Sequence, residues 1–294
     1  MQYEEKLPQS ADLGLIGKYL DGKYLIQSVL TESGMGVLYK AQQVSVERTV
    51  LVKIAYDALV STPNEIERFV REAKALARLN HPNIVAIHDC GFVDMKIPYL
   101  VMEYINGQNL TDMVKMHGPP PAKVAAHIMV QICRGLNEVH KAGIVHRDIK
   151  PENIILQENQ ERPDWVKIVD FGIAYLMEFE NRRLTGRGSL VGTMEYVAPE
   201  LFNDMLPDSR CDIYSLGVVM FELLTGVVPI SAGDLGTLIM KIMMEPPPPI
   251  TDFRSDIEED SVIAKAISKC LEKNPKERFQ TVLEVIEAVQ PAML

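Results

Sequence analysis

Eight consecutive residues, His146-Arg147-Asp148-Ile149-Lys150-Pro151-Glu152-Asn153, followed by Asp170-Phe171-Gly172, constrain this chain more than any other feature. From Asn153 to Asp170 is 17 positions, bridged by two apolar runs at residues 154–156 and 165–169. Short apolar runs separated by polar residues read as the two strands of a hairpin. A hairpin brings its own ends together, so Asn153 and Asp170 are expected side by side. Asp148, Lys150 and Asn153 stand within six positions of one another, next to those apolar strands. That is too dense a polar group for an ordinary solvated loop.

The rest of the chain divides into a strand-rich beginning and a helical remainder. Residues 24–30, 37–41 and 49–54 are short apolar or β-branched runs parted by turn residues. One helix interrupts them: Thr62-Pro63-Asn64-Glu65 supplies an N-cap, a first-turn proline and a capping-box glutamate. Ile66, Phe69, Val70, Ala73, Ala77 and Leu79 follow near helical period, and Asn80-His81-Pro82 is the expected stop. Beyond Gly107, Val124, Ile128, Ile132, Leu136 and Val139 define one face of a long helix that ends at Gly143. Residues 213–224 are apolar on nearly all sides, the mark of a helix buried in a core. The tetraproline 246–249 cannot be helical and reads as a rigid surface connector. A length of 294 residues, 47% of them hydrophobic and 24% charged, suits a folded protein of two domains or lobes.

Together, in this order and at this spacing, the motifs resemble the eukaryotic-like (Hanks-type) serine/threonine protein kinases, bacterial members in particular, over roughly residues 24–288. The resemblance implies an α+β, two-lobed protein kinase fold. Residues 1–23 would be an extension, 24–102 a small β-rich N-lobe, 103–107 a hinge and 108–294 a larger helical C-lobe. It implies transfer of the γ-phosphate of ATP to serine or threonine hydroxyls of proteins, with magnesium, or manganese in its place. In that scheme Asp148 accepts the hydroxyl proton, and Lys150 neutralises charge on the moving phosphoryl group. Asn153 and Asp170 hold the divalent cations, which need hard oxygen ligands. Lys53 contacts the α- and β-phosphates and is positioned by Glu72 on the capped helix. The nucleotide would lie against Leu30, Gly34, Gly36, Leu38, Leu51, Met102, Glu103, Ile105 and Ile155, with Met102 as gatekeeper and backbone groups of Glu103 and Ile105 meeting the adenine. Gly192-Thr193, with Lys150, is the serine/threonine pattern, and Thr193 is expected to bond Asp148 and Lys150. Glu200 of Ala198-Pro199-Glu200 would pair with Arg278, and Asp212 would anchor the catalytic-loop backbone. His146 and Phe171 are expected to pack rather than react.

Two features depart from the family pattern. Where the glycine-rich loop has its first two glycines this chain has Thr31 and Ser33, and Leu51 replaces the usual alanine under the adenine. A β-branched Thr31 forced into a glycine dihedral would cost about 1–3 kcal/mol, though little at a permitted one. The added carbons of Leu51 would overpack the site by a further 1–3 kcal/mol or so. These departures leave open a pseudokinase, a nucleotide-weak module acting by binding. The intact set Lys53, Glu72, Asp148, Asn153 and Asp170 favours the active reading. A small-molecule kinase is disfavoured by Gly192-Thr193 and Ala198-Pro199-Glu200, which resemble a platform for protein substrates.

Charge and cysteine content limit the partners. The net charge of −10 argues against nucleic acid, which needs clustered cations. Cys90, Cys133, Cys211 and Cys270 lie far apart with no Cys-x-x-Cys pair, as expected of reduced thiols in the cytoplasm. The most apolar stretch, 218–230, is too short to span a bilayer. Protein substrates are the expected partners, with the chain itself as one of them through autophosphorylation in trans. The 31 residues from Asp170 to Glu200 are long enough for an activation segment. Thr185, with Ser189 second, is the expected phosphosite, and Arg147 the arginine that reads its phosphate.

Overall fold

The structure, a computed structural model, describes residues 13–33, 36–56, 63–94, 96–158, 165–171, 194–203, 206–259 and 261–293. The chain divides into two compact units. The first takes the chain up to Asn80 together with Val85–Ile105; the second takes His81–Ile84 and the described residues from Asn106 onward.

The first unit is built on a six-stranded sheet ordered β1-β2-β3-β4-β6-β5, every adjacent pair antiparallel. The strands are β1 (Tyr19–Leu20), β2 (Tyr24–Ser33), β3 (Gly36–Gln43), β4 (Arg48–Ala55), β5 (Ile87–Val93) and β6 (Ile97–Glu103). The sheet begins at Tyr19, because Gly17 and Gly22 adopt positive φ (79° and 65°) around a short strand that pairs with Tyr24 and Leu25. Alternation puts Val37, Tyr39, Ala41, Val50, Val52, Ile54, Tyr99 and Val101 on one face, where they pack with Leu20, Tyr24 and Ile26 as the core. Helix α1 (Pro63–Leu76) packs against β5 and β6, with Phe69 meeting Phe92 edge-on at 6.4 Å. It stops before the expected Asn80. Arg78 and Leu79 donate to the carbonyls of Ala75 and Leu76, three residues back, so Ala77 and Leu79 lie beyond the helix in a tightened terminal turn. Thr62 of the expected cap lies outside the described residues.

The second unit holds a three-stranded sheet, β7 (Gly107–Asn109), β8 (Ile154–Gln157) and β9 (Trp165–Ile168), in that order. Its helices are α2 (Leu110–His117), α3 (Ala122–Lys141), α4 (Ser209–Thr225), α5 (Leu235–Met244), α6 (Val262–Cys270) and α7 (Val282–Val289). As its sequence predicts, α4 is buried almost all round, capped by Asp208 at the start and by Gly226 at φ +80° at the end. Helix α3 is capped by Ala142, and Gly143 at φ +73° turns the chain away. Val124 does not share the buried face expected of it: it is 38% exposed in the first turn of α3, and Ala125 and Ala126 are buried instead. Residues 246–249 are not helical, as expected of four prolines.

Candidate active site

The face of the first sheet opposite its core is where alternation places the expected nucleotide residues. Leu38 lies opposite Lys53, and Lys53 opposite Leu100; Lys40 lies opposite Leu51, and Leu51 opposite Met102. Leu38, Leu51, Lys53 and Met102 therefore share one face across three strands. Met102 is buried, while Leu38, Leu51 and Lys53 are half-buried. Glu103, which ends β6, is committed to the neighbouring loop: its N–H donates to the Ala86 carbonyl at 2.9 Å, and its Oε1 accepts the Ala86 N–H at 2.7 Å. Its N–H is thus spent on Ala86. Tyr104 stands over Lys40, with Nζ 5.1 Å from the ring centroid. Glu72 is a half-buried residue of α1.

The degenerate glycine loop is resolved by the backbone of this hairpin. β2 runs on through Thr31 to Ser33, with Thr31 opposite Leu38 and Ser33 opposite Gly36. Leu30 is the extra residue of a bulge between Val29 and Thr31. Among the described residues, positive φ outside glycine occurs at Asp21, Glu47, Asp94, Arg147 and Asp170, and Thr31 is not one of them. The feared strain at Thr31 does not arise, because an extended strand suits a β-branched residue. Gly36 is the position that requires glycine: φ is +151°, and a Cβ would sit 2.1 Å from the Ile54 carbonyl oxygen. Gly34 lies outside the described residues.

In the second unit the expected hairpin forms, with Ile154 opposite Ile168. The N–H of Val169 donates to the Asn153 carbonyl at 2.9 Å, which sets Asn153 beside the residue preceding Asp170. Asp148, 8% exposed, lies at the centre of the loop. Lys150 Nζ reaches both its carboxylate oxygens, at 3.1 and 2.9 Å. Asn153 Nδ2 donates to its backbone carbonyl and to Oδ2, each at 2.8 Å. With its NH₂ occupied by Asp148, Asn153 has its amide oxygen left as the atom that could serve as a ligand. Asp170 adopts φ +57°, a left-handed conformation uncommon outside glycine, and one that clusters at functional sites. An amide oxygen and a carboxylate are the hard donors a magnesium-sized cation takes, the rest of its shell coming from phosphate and water.

The loop is held from below by Asp212, fully buried near the start of α4. Its carboxylate accepts the N–H of His146 at 2.9 Å and of Arg147 at 2.8 Å, and lies 2.8 Å from His140 Nε2. Burial pushes the Asp212 carboxyl up, but the hydrogen bond from His140, with that from the Arg147 N–H, outweighs it and holds the group below its ordinary value. His146 is buried as well, and burial lowers its imidazole. Its Nδ1 accepts the Asp148 N–H at 3.3 Å, so Nε2, 3.3 Å from the Val169 carbonyl, carries the proton. Its ring lies 4.7 Å from that of Phe171, the packing role expected of both. Arg278, 2% exposed, grips both oxygens of Glu200 at 2.7 Å, as expected, and also donates to the carbonyls of Arg210, Glu272 and Lys273. Thr193, Thr185 and Ser189 lie outside the described residues.

Two supports escaped the reading of the sequence. His140 stands six residues before His146 with no local motif to mark it as a partner of Asp212. Asn83, just past the expected helix stop at 80–82, donates to the Val166 carbonyl at 2.8 Å and its own carbonyl accepts the Ile168 N–H at 2.9 Å, fixing β9. Both depend on contacts distant in sequence.

Comparison with known proteins agrees with this geometry. The protein kinase domain family matches residues 24–289. The chain is 35% identical over 265 residues to serine/threonine-protein kinase pkn3 of Myxococcus xanthus, covering 90% of this chain and 48% of that protein. It is 36% identical over 273 residues to serine/threonine-protein kinase PknB of Mycolicibacterium smegmatis, covering 91% and 42%. It therefore spans less than half the length of these curated relatives. Among solved structures it is similar to the PknI kinase domain of Mycobacterium tuberculosis, with a TM-score of 0.72, 26% identity and coverage of 94% and 98%. It is also similar to Rad53 1–466 in complex with AMP-PNP, with a TM-score of 0.74, 29% identity and coverage of 92% and 66%. The match over nearly the whole chain, on a sheet-built unit and a helical one, means that the chain belongs to the protein kinase family, in its bacterial serine/threonine branch.

Proposed function

We propose that this chain transfers the γ-phosphate of ATP to serine and threonine hydroxyls of protein substrates. The observation that carries the reading is the hydrogen-bonded set Asp148–Lys150–Asn153, held in place by Asp212. Asp148 orients the incoming hydroxyl and accepts its proton. Lys150, already at its carboxylate, stabilises charge as it develops on the phosphoryl oxygens. The amide oxygen of Asn153 and the carboxylate of Asp170 hold magnesium, in preference to manganese, and Lys53, positioned by Glu72, holds the α- and β-phosphates. Leu30, Gly36, Leu38, Leu51, Met102, Ile155 and the backbone at Glu103 and Ile105 form the nucleotide site, within a kinase domain spanning 24–288. The chain phosphorylates itself in trans, at Thr185 before Ser189, and acts in the cytoplasm.

The pseudokinase alternative loses one of its two supports, since Thr31 occupies an ordinary strand conformation. The test is phosphate transfer from γ-labelled ATP with magnesium to a serine- and threonine-containing protein. Asp148→Asn keeps size and shape and should lower turnover at least a hundredfold while nucleotide still binds. Turnover near the original rate would remove Asp148 from its role. Lys53→Met should abolish activity. Full activity in Thr185→Ala combined with Ser189→Ala would exclude control by the activation segment.

A further inference from the structure

Lys273 lies just beyond α6, and its side chain rests on Tyr214 of α4. Its Nζ is 3.5 Å from the Tyr214 hydroxyl and 5.7 Å from the ring centroid. The guanidinium of Arg278 lies 4.9 Å from the same centroid, and its Nη2 donates to the Lys273 carbonyl at 3.0 Å. Two cations thus share one aromatic ring, but the carboxylate there, Glu200, is taken by Arg278 at both oxygens. The carboxylates that act on Lys273 are Glu245 and Glu272, and the exposed Glu245 is shared with Lys241 at 3.7 Å. Burial first, and the Arg278 charge second, bring the Lys273 amine down to about 8. Arginine does not give up its proton, so the crowding of two cations is relieved at the lysine.

We propose that Lys273 is a covalent modification site whose amine takes an acyl group from small acyl phosphates in preference to the exposed lysines of the chain. The neutral Nζ attacks the carbonyl carbon of acetyl phosphate. The amide C–N bond forms as the C–O bond to phosphate breaks, inorganic phosphate leaves, and the displaced ammonium proton passes to solvent. The product has lost its charge, so Arg278 remains the one cation on the Tyr214 ring and keeps its grip on Glu200.

The unaltered chain, incubated with acetyl phosphate, tests the proposal without any variant. Peptide mass spectrometry measures the initial acetylation rate at Lys273 and at the exposed Lys265 and Lys276 between pH 7 and 10. An amine titrating near 8 is about a quarter neutral at pH 7.5, whereas an ordinary lysine amine is only about 0.1% neutral. Weaker nucleophilicity and half-burial offset part of that advantage, leaving an expected rate at Lys273 roughly tenfold above the two controls. The Lys273 rate should also level off above about pH 9, while an ordinary lysine amine keeps gaining towards pH 10.4 or so. A Lys273 rate no greater than those of Lys265 and Lys276 would overturn the proposal, and so would a profile still climbing steeply above pH 9.

Discussion

Asp212 Oδ1 accepts the backbone N–H of Arg147 at 2.8 Å, and that bond accounts for a bulky residue held at φ +67°. The preceding N–H, from His146, goes to the other oxygen of the same carboxylate. Successive N–H groups converge on one anion when the backbone turns left-handed, and the carboxylate offsets the strain of that turn. Asp148 follows directly, so its position depends on a side chain 64 residues further along the chain.

Asp212→Asn preserves volume but faces two N–H donors with a group that has one acceptor oxygen. We expect a loss of about 3 kcal/mol or more in stability, since buried donors lose a charged partner. Turnover should fall as well, because Arg147 can then relax and carry Asp148 with it. Denaturant unfolding and initial rates measure the two effects. A variant as stable and as active as the parent would show that the loop needs no such anchor.

Acid should weaken the fold in two stages. Burial holds His146 below the ordinary 6.5, so below that pH the unfolded chain takes up a proton that the folded chain refuses. Stability is unaffected above about pH 6.5 and declines as pH falls beneath it. His81 and His88, lowered mainly by burial, act in the same window. Asp212 is held below 3.8, burial opposing and the His140 bond prevailing, so its contribution is complete above that pH and lost as pH falls further. Melting temperature measured from pH 8 to pH 3 should show both declines. His146→Phe should melt lower at pH 7.5, yet lose less between pH 7 and 5.

Gly36→Ala should damage the β2–β3 hairpin, while Thr31→Gly should not help it. The added methyl meets backbone at 2.1 Å and must also adopt φ +151°, so a loss above about 2 kcal/mol is expected, with weaker nucleotide binding. Thr31→Gly removes a β-branched residue from a strand and should cost up to about 1 kcal/mol. Thermal melts of the two variants separate these outcomes, and a Thr31→Gly protein more stable than the parent would restore the strain argument.

Leu51→Ala should tighten ATP binding several-fold. Leu51 sits opposite Met102 on the face that carries Lys53, the face proposed to take the nucleotide, so trimming it to alanine opens room there. Titration with ATP and magnesium measures the effect. Unchanged or weaker binding would mean that the site has adapted to leucine.

Much of the fold was legible because it is encoded locally. The hairpin at 154–168 followed from two apolar runs, and α4 from apolarity all round. The cost of Thr31 stayed open because the family pattern supplies a glycine dihedral at that position, and only the paired strand shows that this chain does not adopt it. The end of α1 was missed because Ala77 and Leu79 keep the apolar period after the backbone has tightened, and periodicity does not register a change of hydrogen-bond pattern.

The sequence by itself determined which chemical groups are present and which neighbours along the chain they keep: Asp148 with Lys150 and Asn153, the alternation that puts Leu51 and Lys53 on one face, the apolar helix beneath. Those are properties of spacing, and spacing is carried by the covalent chain. Tertiary structure alone decided that His140 joins the catalytic-loop backbone on Asp212, that Asn83 fixes β9, and that Arg278 and Lys273 share Tyr214. These partners come from distant segments, and no local rule pairs them. They come together because a buried carboxylate or amide must find its hydrogen bonds inside the fold, where water is excluded.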